Sequence, residues 1–192
     1  MSHSLQPAVF LDRDGTIMDD PGYVHRVEDV AIYPWSADAL RLLKRAGFAI
    51  VVITNQSGVA RGLYPESAVH TVHAHLAEAL ARGGATVDGW YHCPHHADAV
   101  DEAYRLDCDC RKPKPGMLTR AAAEHGLDLA RSVVVGDRWS DVAVARAVGA
   151  GGVLVRTGAG AQEERTPEPG LTADAILPSL AEATSWILRE RR

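Results

Sequence analysis

Asp12 and Asp14 stand two apart in the segment Val9-Phe-Leu-Asp-Arg-Asp-Gly-Thr-Ile17. Carboxylates this close repel one another, and burial raises the cost. A divalent cation relieves it, and Mg²⁺ is the hard ion that prefers oxygen ligands. An aspartate beside such an ion can attack phosphorus and form an aspartyl-phosphate. A second carboxyl can protonate the leaving alkoxide and then activate water. The pair therefore points to phosphoryl transfer, with Asp12 as nucleophile and Asp14 as acid and base. The competing reading is a polar turn after a strand. The apolar run Ala8-Val-Phe-Leu11 immediately before Asp12 speaks against chance.

A phosphoryl group in transfer needs donors on its equatorial oxygens. Thr54, followed by Asn55, Gln56 and Ser57, offers hydroxyls and main-chain N–H groups. Arg111-Lys-Pro-Lys114 gathers cations, and spacing leaves Lys114 as an alternative to Lys112. Asp137 and Asp141 follow Val133-Val-Val-Gly136 and add carboxylates at a further strand end.

A second constellation is Cys93-Pro-His95 with Cys108-Asp-Cys110. Three thiolates and an imidazole make a closed tetrahedral zinc site. Zinc would supply the folding energy that a short loop cannot get from burial. Spacing does not identify the histidine: His95 ranks first, with His92 and His96 left open. His70, His73 and His75 lie on an expected helix, lack a further ligand, and read as solvated. Trp35, Trp90, Trp139 and Trp186 read as packing residues.

These groups must be positioned by the elements around them. Apolar runs predict strands at 8–11, 48–53, 132–135 and 151–155, with a short one at 87–91. Helical spacing predicts helices at 36–46, 65–82, 116–125, 141–148 and 179–189. The stretch 97–111 reads as a long loop, and 158–169 as a mobile one. Strands alternating with helices imply an α/β fold with a parallel sheet between two helical layers. Ligands bind at the strand tips of such sheets, where Asp12, Thr54 and Asp137 fall.

The 192 residues suit one domain spanning 1–192, with a zinc-binding loop at about 92–111. Twenty basic and 25 acidic side chains leave a charge of −5, which gives no reason to expect nucleic acid or an anionic membrane as partner. The start, Met1-Ser-His-Ser-Leu-Gln-Pro7, lacks the pattern of a signal peptide. No apolar run is long enough for a membrane span. A cytoplasmic monomer acting on a small molecule is the expectation, and three cysteines near histidines fit metal ligation in such a setting.

The set Asp12-x-Asp14-Gly-Thr-Ile17, Thr54-Asn-Gln-Ser57, Lys112-Pro and Gly136-Asp137-x-x-x-Asp141 resembles, in order, the four motifs of the haloacid dehalogenase (HAD) superfamily. The resemblance implies a Rossmann-like fold with a minimal cap. It implies Mg²⁺ on Asp12, Asp137 and the main-chain carbonyl of Asp14, with Asp141 supporting the site. Thr54 and Lys112 would bind the phosphoryl group, and Arg111 the substrate.

Cys93-Pro-His-His96 and Cys108-Asp-Cys-Arg-Lys-Pro-x-Pro-Gly-Met117 are similar to the heptose bisphosphate phosphatases and the related histidinol phosphatases. That likeness implies hydrolysis of the 7-phosphate of D-glycero-D-manno-heptose 1,7-bisphosphate, a step toward activated heptose for surface polysaccharide. It would add Asp20, Pro21, Gly22, Tyr23 and Arg138 to the substrate contacts. Met18, where heptose enzymes often carry a polar residue, and Trp139-Ser140 depart from the pattern. A histidinol-phosphate phosphatase is the rival enzyme reading. A zinc-stabilised binding module without activity is the rival class, although every expected catalytic residue type is present.

Overall fold

The computed structural model describes residues 5–190, so the first four positions of the segment read for a signal peptide lie outside it. Six strands run β1 (Gln6–Leu11), β2 (Ala49–Asn55), β3 (Gly89–Cys93), β4 (Leu127–Gly136), β5 (Gly151–Val155) and β6 (Ala175–Leu177). They form one sheet in the order β3-β2-β1-β4-β5-β6, and every neighbouring pair is parallel. Strand order reverses between β1 and β4, which opens a crevice beyond their carboxyl ends.

The helices are α1 (Ser36–Arg45), α2 (Ser57–Ala60), α3 (Glu66–Arg82), α4 (Gly116–His125), α5 (Trp139–Ala147), α6 (Gly160–Glu163) and α7 (Leu180–Glu190). Alternate side chains of a strand face opposite sides of the sheet. Val9, Leu11, Ile50, Val52, Val133 and Val135 pack with Leu40 and Leu43 of α1 and with Leu180 and Ile187 of α7. Phe10, Val51, Ile53 and Val134 face the other layer, with Met117 and Leu118 of α4 and Val144 of α5. Burial on both faces is why these strands read as unbroken apolar runs rather than as alternation.

Differences from the expected elements have local causes. β4 begins at Leu127 rather than Ser132, because its register with β1 shifts between Pro7 and Val9. Ser132 Oγ satisfies that irregularity by accepting from the Ala8 N–H at 2.9 Å and donating to Asp128 O at 2.5 Å. β3 starts at Gly89 rather than Val87, since the Asp88 carboxylate accepts from the Ile50 N–H and holds the chain just before the strand. The short helices α2 and α6 and the three-residue edge strand β6 are too brief to show a period, and α6 lies inside the stretch expected to be loop. His73 is a correction: it is buried against Trp90, with ring centroids 4.9 Å apart, and burial pulls its imidazole down to about 3. The helix turns that residue inward, and the apolar neighbours Val72 and Leu76 carry it with them. Among the described residues, no helix is long and apolar enough to cross a membrane.

Candidate active site and metal centres

Asp12 directly follows β1, and its N–H donates to Val135 O at 2.9 Å, so the residue is still clamped to β4. The chain then closes a tight turn in which the Ile17 N–H donates to Arg13 O at 3.0 Å and the Gly15 N–H to Met18 O at 2.8 Å. Gly15 has φ +76°, and a Cβ there would collide with the Asp137 carboxylate and the Gly158 backbone. Only glycine lets the turn after β1 approach the turn after β4 this closely.

Asp12, Asp137 and Asp141 form one buried carboxylate cluster, with candidate ligand oxygens within 4.8 Å of one another. Lys112 reaches into it from 100 residues away. Its Nζ donates to Asp12 Oδ1 at 2.8 Å, Asp141 Oδ1 at 2.6 Å and Ile53 O at 3.0 Å. Asp141 Oδ2 also accepts from the Arg138 N–H at 3.1 Å, capping α5. Burial pushes the Asp12 carboxyl up, Lys112 pulls it back, and Asp141 and Asp14 add to the rise. Asp137 is pushed up by burial first, then by Asp12 and Asp141. Burial alone would lower Lys112, but the two aspartates hold it above its ordinary value.

Asp137 Oδ2 accepts from the Ala159 N–H at 2.7 Å, while its buried Oδ1 has no hydrogen-bond partner among the described residues. An orphaned carboxylate oxygen beside a second buried carboxylate fits a hard divalent cation. Asp12 and Asp137 are the side chains that would hold Mg²⁺. The Asp14 side chain lies outside this cluster. Its carboxylate is held by the Arg13 guanidinium at 2.9–3.1 Å, by Gln56 Nε2 at 2.8 Å and by Thr54 Oγ1 at 3.3 Å.

Above Asp12 and Asp14 opens a cavity of about 470 Å³. Asp12, Asp14, Thr54, Asn55, Gln56, Ser57, Arg111 and Lys112 line it, with Asp20, Gly22, Tyr23 and Arg138 at the rim. Pro21 is exposed and does not line it. Asn55 uses its carboxamide on the Lys112 backbone, donating to O at 3.1 Å and accepting from N–H at 3.0 Å. Arg138 Nη2 stands 3.7 Å from Asp20 Oδ2, so two predicted rim residues pair across the mouth. Lys114 is exposed and pairs with Asp107, which leaves Lys112 as the buried cation.

Sequence reasoning passed over Arg13 and Tyr64. Arg13 is fully buried, and its Nη2 also donates to Val24 O at 3.1 Å. Its position between Asp12 and Asp14 was the available signal. The buried Tyr64 hydroxyl donates to Gln56 Oε1 at 3.0 Å and so orients the amide that reaches Asp14. No sequence spacing marks Tyr64.

Cys93 at the end of β3, His95, Cys108 and Cys110 converge in a second cluster. Cys93 Sγ lies 3.5 Å from Cys108 Sγ and 3.0 Å from Cys110 Sγ, and His95 Nδ1 lies 3.3 Å from Cys110 Sγ. A tetrahedral zinc thiolate site has sulfur edges of about 3.8 Å, so this set is close to binding geometry. Burial pushes the Cys93 thiol up and takes Cys110 to about 11, while hydrogen bonds from Cys110 and Cys93 bring Cys108 down against the effect of burial. Zn²⁺ would stabilise all three thiolates together. His92 pairs instead with Glu66 at 2.8 Å, and His96 accepts from the Asp98 N–H, so neither stands in the cluster. Arg111 Nη1 donates to His95 O at 3.3 Å, which ties the cluster to the cavity wall.

The chain as a whole is similar to several known proteins. A family model described as HAD-hydrolase-like matches residues 109–183. The chain is 44% identical over 187 residues to the D-glycero-β-D-manno-heptose-1,7-bisphosphate 7-phosphatase of Escherichia coli (strain K12), covering 97% of this chain and 96% of the relative. It is 40% identical to the enzyme of the same name from Vibrio cholerae, covering 97% and 99%. The crystal structure of a D,D-heptose 1,7-bisphosphate phosphatase from B. bronchiseptica, complexed with magnesium and phosphate, superposes with a TM-score of 0.83 at 33% identity, covering 96% of this chain and 99% of that one.

Proposed function

Since this chain belongs to the D-glycero-β-D-manno-heptose-1,7-bisphosphate 7-phosphatase family of HAD-like hydrolases, we propose that it removes the 7-phosphate of D-glycero-D-manno-heptose 1,7-bisphosphate. The observation that carries this reading is the buried meeting of Asp12, Asp137 and Lys112 beneath a polar cavity.

The cavity accepts the 7-phosphate against Thr54, Ser57 and the Lys112 ammonium. An Asp12 oxygen attacks phosphorus in line, and the bond from phosphorus to the sugar oxygen breaks. Asp14 delivers a proton to that leaving oxygen. It then takes a proton from water, which attacks phosphorus and releases phosphate and the free Asp12 carboxylate. Lys112 favours the ionised form of Asp12 against the effect of burial and aims it, while donating toward the developing charge. Asp12 and Asp137, with the Asp14 carbonyl that the family resemblance adds, would hold Mg²⁺, which would supply neutralising charge to the phosphoryl oxygens.

Asn55 keeps Lys112 in place, and Arg13, Gln56 and Tyr64 keep Asp14 in place. Arg111, Arg138, Asp20, Gly22 and Tyr23 contact the sugar and its second phosphate. The zinc cluster fixes the loop that carries Arg111.

A monomer is the working unit, a reading supported by one chain supplying every group that the chemistry above uses. The cytoplasm is its place, supported by three free cysteines gathered as thiolate ligands.

The test is phosphate release from heptose 1,7-bisphosphate with the position of hydrolysis recorded, beside kcat/KM on histidinol phosphate. Release from the 7-position with the larger kcat/KM is expected. Preference for histidinol phosphate, or release from the 1-position, would overturn the assignment.

A further inference from the structure

A wider cavity of about 930 Å³ opens at the sheet edge, where α3 packs beside β3. Glu66, His70, His92 and Tyr104 line it, and none of them takes part in the chemistry proposed above. Glu66 and His70 are four residues apart on α3, so both project from one side of the helix. His92 comes from β3, and as the neighbour of Cys93 it points away from the cysteine cluster.

The candidate ligand atoms of Glu66, His70 and His92 all lie within 4.8 Å of one another. His92 Nε2 is 2.8 Å from Glu66 Oε1, and the His70 and His92 rings stand 5.1 Å apart at 84°. The Tyr104 hydroxyl donates to Glu66 Oε2 at 3.1 Å, which orients the carboxylate from behind. The helix histidines lacked a further ligand when read from sequence spacing. The strand supplies His92, and the first residue of the helix supplies Glu66.

We propose that Glu66, His70 and His92 form a third metal site, for a divalent transition ion of the zinc class. Two imidazoles and one carboxylate suit Zn²⁺, Co²⁺ or Ni²⁺ better than Mg²⁺. Three protein ligands leave coordination positions open to the cavity, whereas the cysteine cluster closes around its ion. The exposed His70 gives the ion an entry path, so this site exchanges metal with solvent. Occupation ties the first turn of α3 to the end of β3, one residue from the zinc loop.

Co²⁺ is the probe. Full-length protein carrying zinc in its cysteine cluster, with its aspartate cluster kept saturated by excess Mg²⁺, is titrated with Co²⁺ and followed by visible absorption and equilibrium dialysis. One further equivalent is expected, with a weak visible band and without the intense near-ultraviolet absorption of cobalt–thiolate bonds. His70→Ala, at an exposed position, should weaken that binding by at least about 10-fold, the low end of the loss seen when only a supporting partner is removed. Glu66→Gln should do the same, and His75→Ala should leave binding unchanged. No further equivalent in the unmodified protein, thiolate absorption alone, or unaltered binding in His70→Ala would each overturn the site.

Discussion

The Lys112 ammonium sits 2.8 Å from the Asp12 carboxylate and 2.6 Å from that of Asp141, buried at the point where the sheet reverses its order. One cation thus serves two of three clustered carboxylates, while Asp137 Oδ1 stays without a partner among the described residues. The charge left over is what a magnesium ion would balance.

Asp12→Asn should keep the fold and lower kcat by at least about 10⁴-fold, because the amide cannot form the phosphoenzyme. Circular dichroism checks the fold and phosphate release the rate. Near-normal turnover would remove Asp12 from the nucleophile's role.

Lys112→Met retains the apolar stem and deletes the ammonium. It leaves Asp12 and Asp141 buried without their shared cation, a situation that costs about 3–5 kcal/mol. Urea unfolding of the metal-free protein should show a larger loss at about pH 8 than at about pH 5, where protonation relieves the carboxylates. An equal loss at both values would mean that the lysine acts by packing alone.

The carboxylate cluster also sets a pH dependence. In the folded, metal-free state Asp12 is raised from 3.8 to about 7 and Asp137 from 3.8 to about 8. Between the ordinary value and these raised ones the folded chain binds more protons than the unfolded chain, so stability falls as pH rises through that window. The Tm without metal should therefore drop between about pH 5 and about pH 8. Added Mg²⁺ should restore more at the upper end, because it binds the ionised carboxylates and displaces their protons. Calorimetry with and without Mg²⁺ reads both effects. A metal-free Tm that climbs over that interval would contradict the buried cluster.

For the thiolate cluster, about one zinc ion per chain should survive washing with EDTA, as expected for a closed four-ligand site. Cys108→Ser should reduce that content toward zero. It should also raise KM, since Arg111 is anchored to His95 O in the same loop. Elemental analysis and substrate-saturation curves give the two readings, and full zinc retention in the variant would contradict the ligand set.

Much of this was legible in the chain itself, for identifiable reasons. β1, β2, β4 and β5 are buried on both faces, so each shows as an apolar run, with Asp12 and Asp137 just past the ends of β1 and β4 and Thr54 in the last residues of β2. Asp12 and Asp14, like Cys108 and Cys110, are close in sequence, so spacing alone marks them as pairs. β6, α2 and α6 were illegible because three or four residues cannot display a period. His73 was misread because a helix can turn a histidine inward as readily as outward when its neighbours are apolar.

By itself the sequence determined the residue types of the candidate active site and of both candidate metal clusters, because local spacing and the apolar runs before them are properties of the chain. Tertiary structure alone decided which of Lys112 and Lys114 is buried, and which of His92, His95 and His96 joins the cysteines. It also decided that Arg13 and Tyr64 brace Asp14 and Gln56, and that Glu66, His70 and His92 meet. Each of those outcomes depends on the distance between side chains carried by different elements. That distance is set by sheet order and helix packing, which no spacing along the chain encodes.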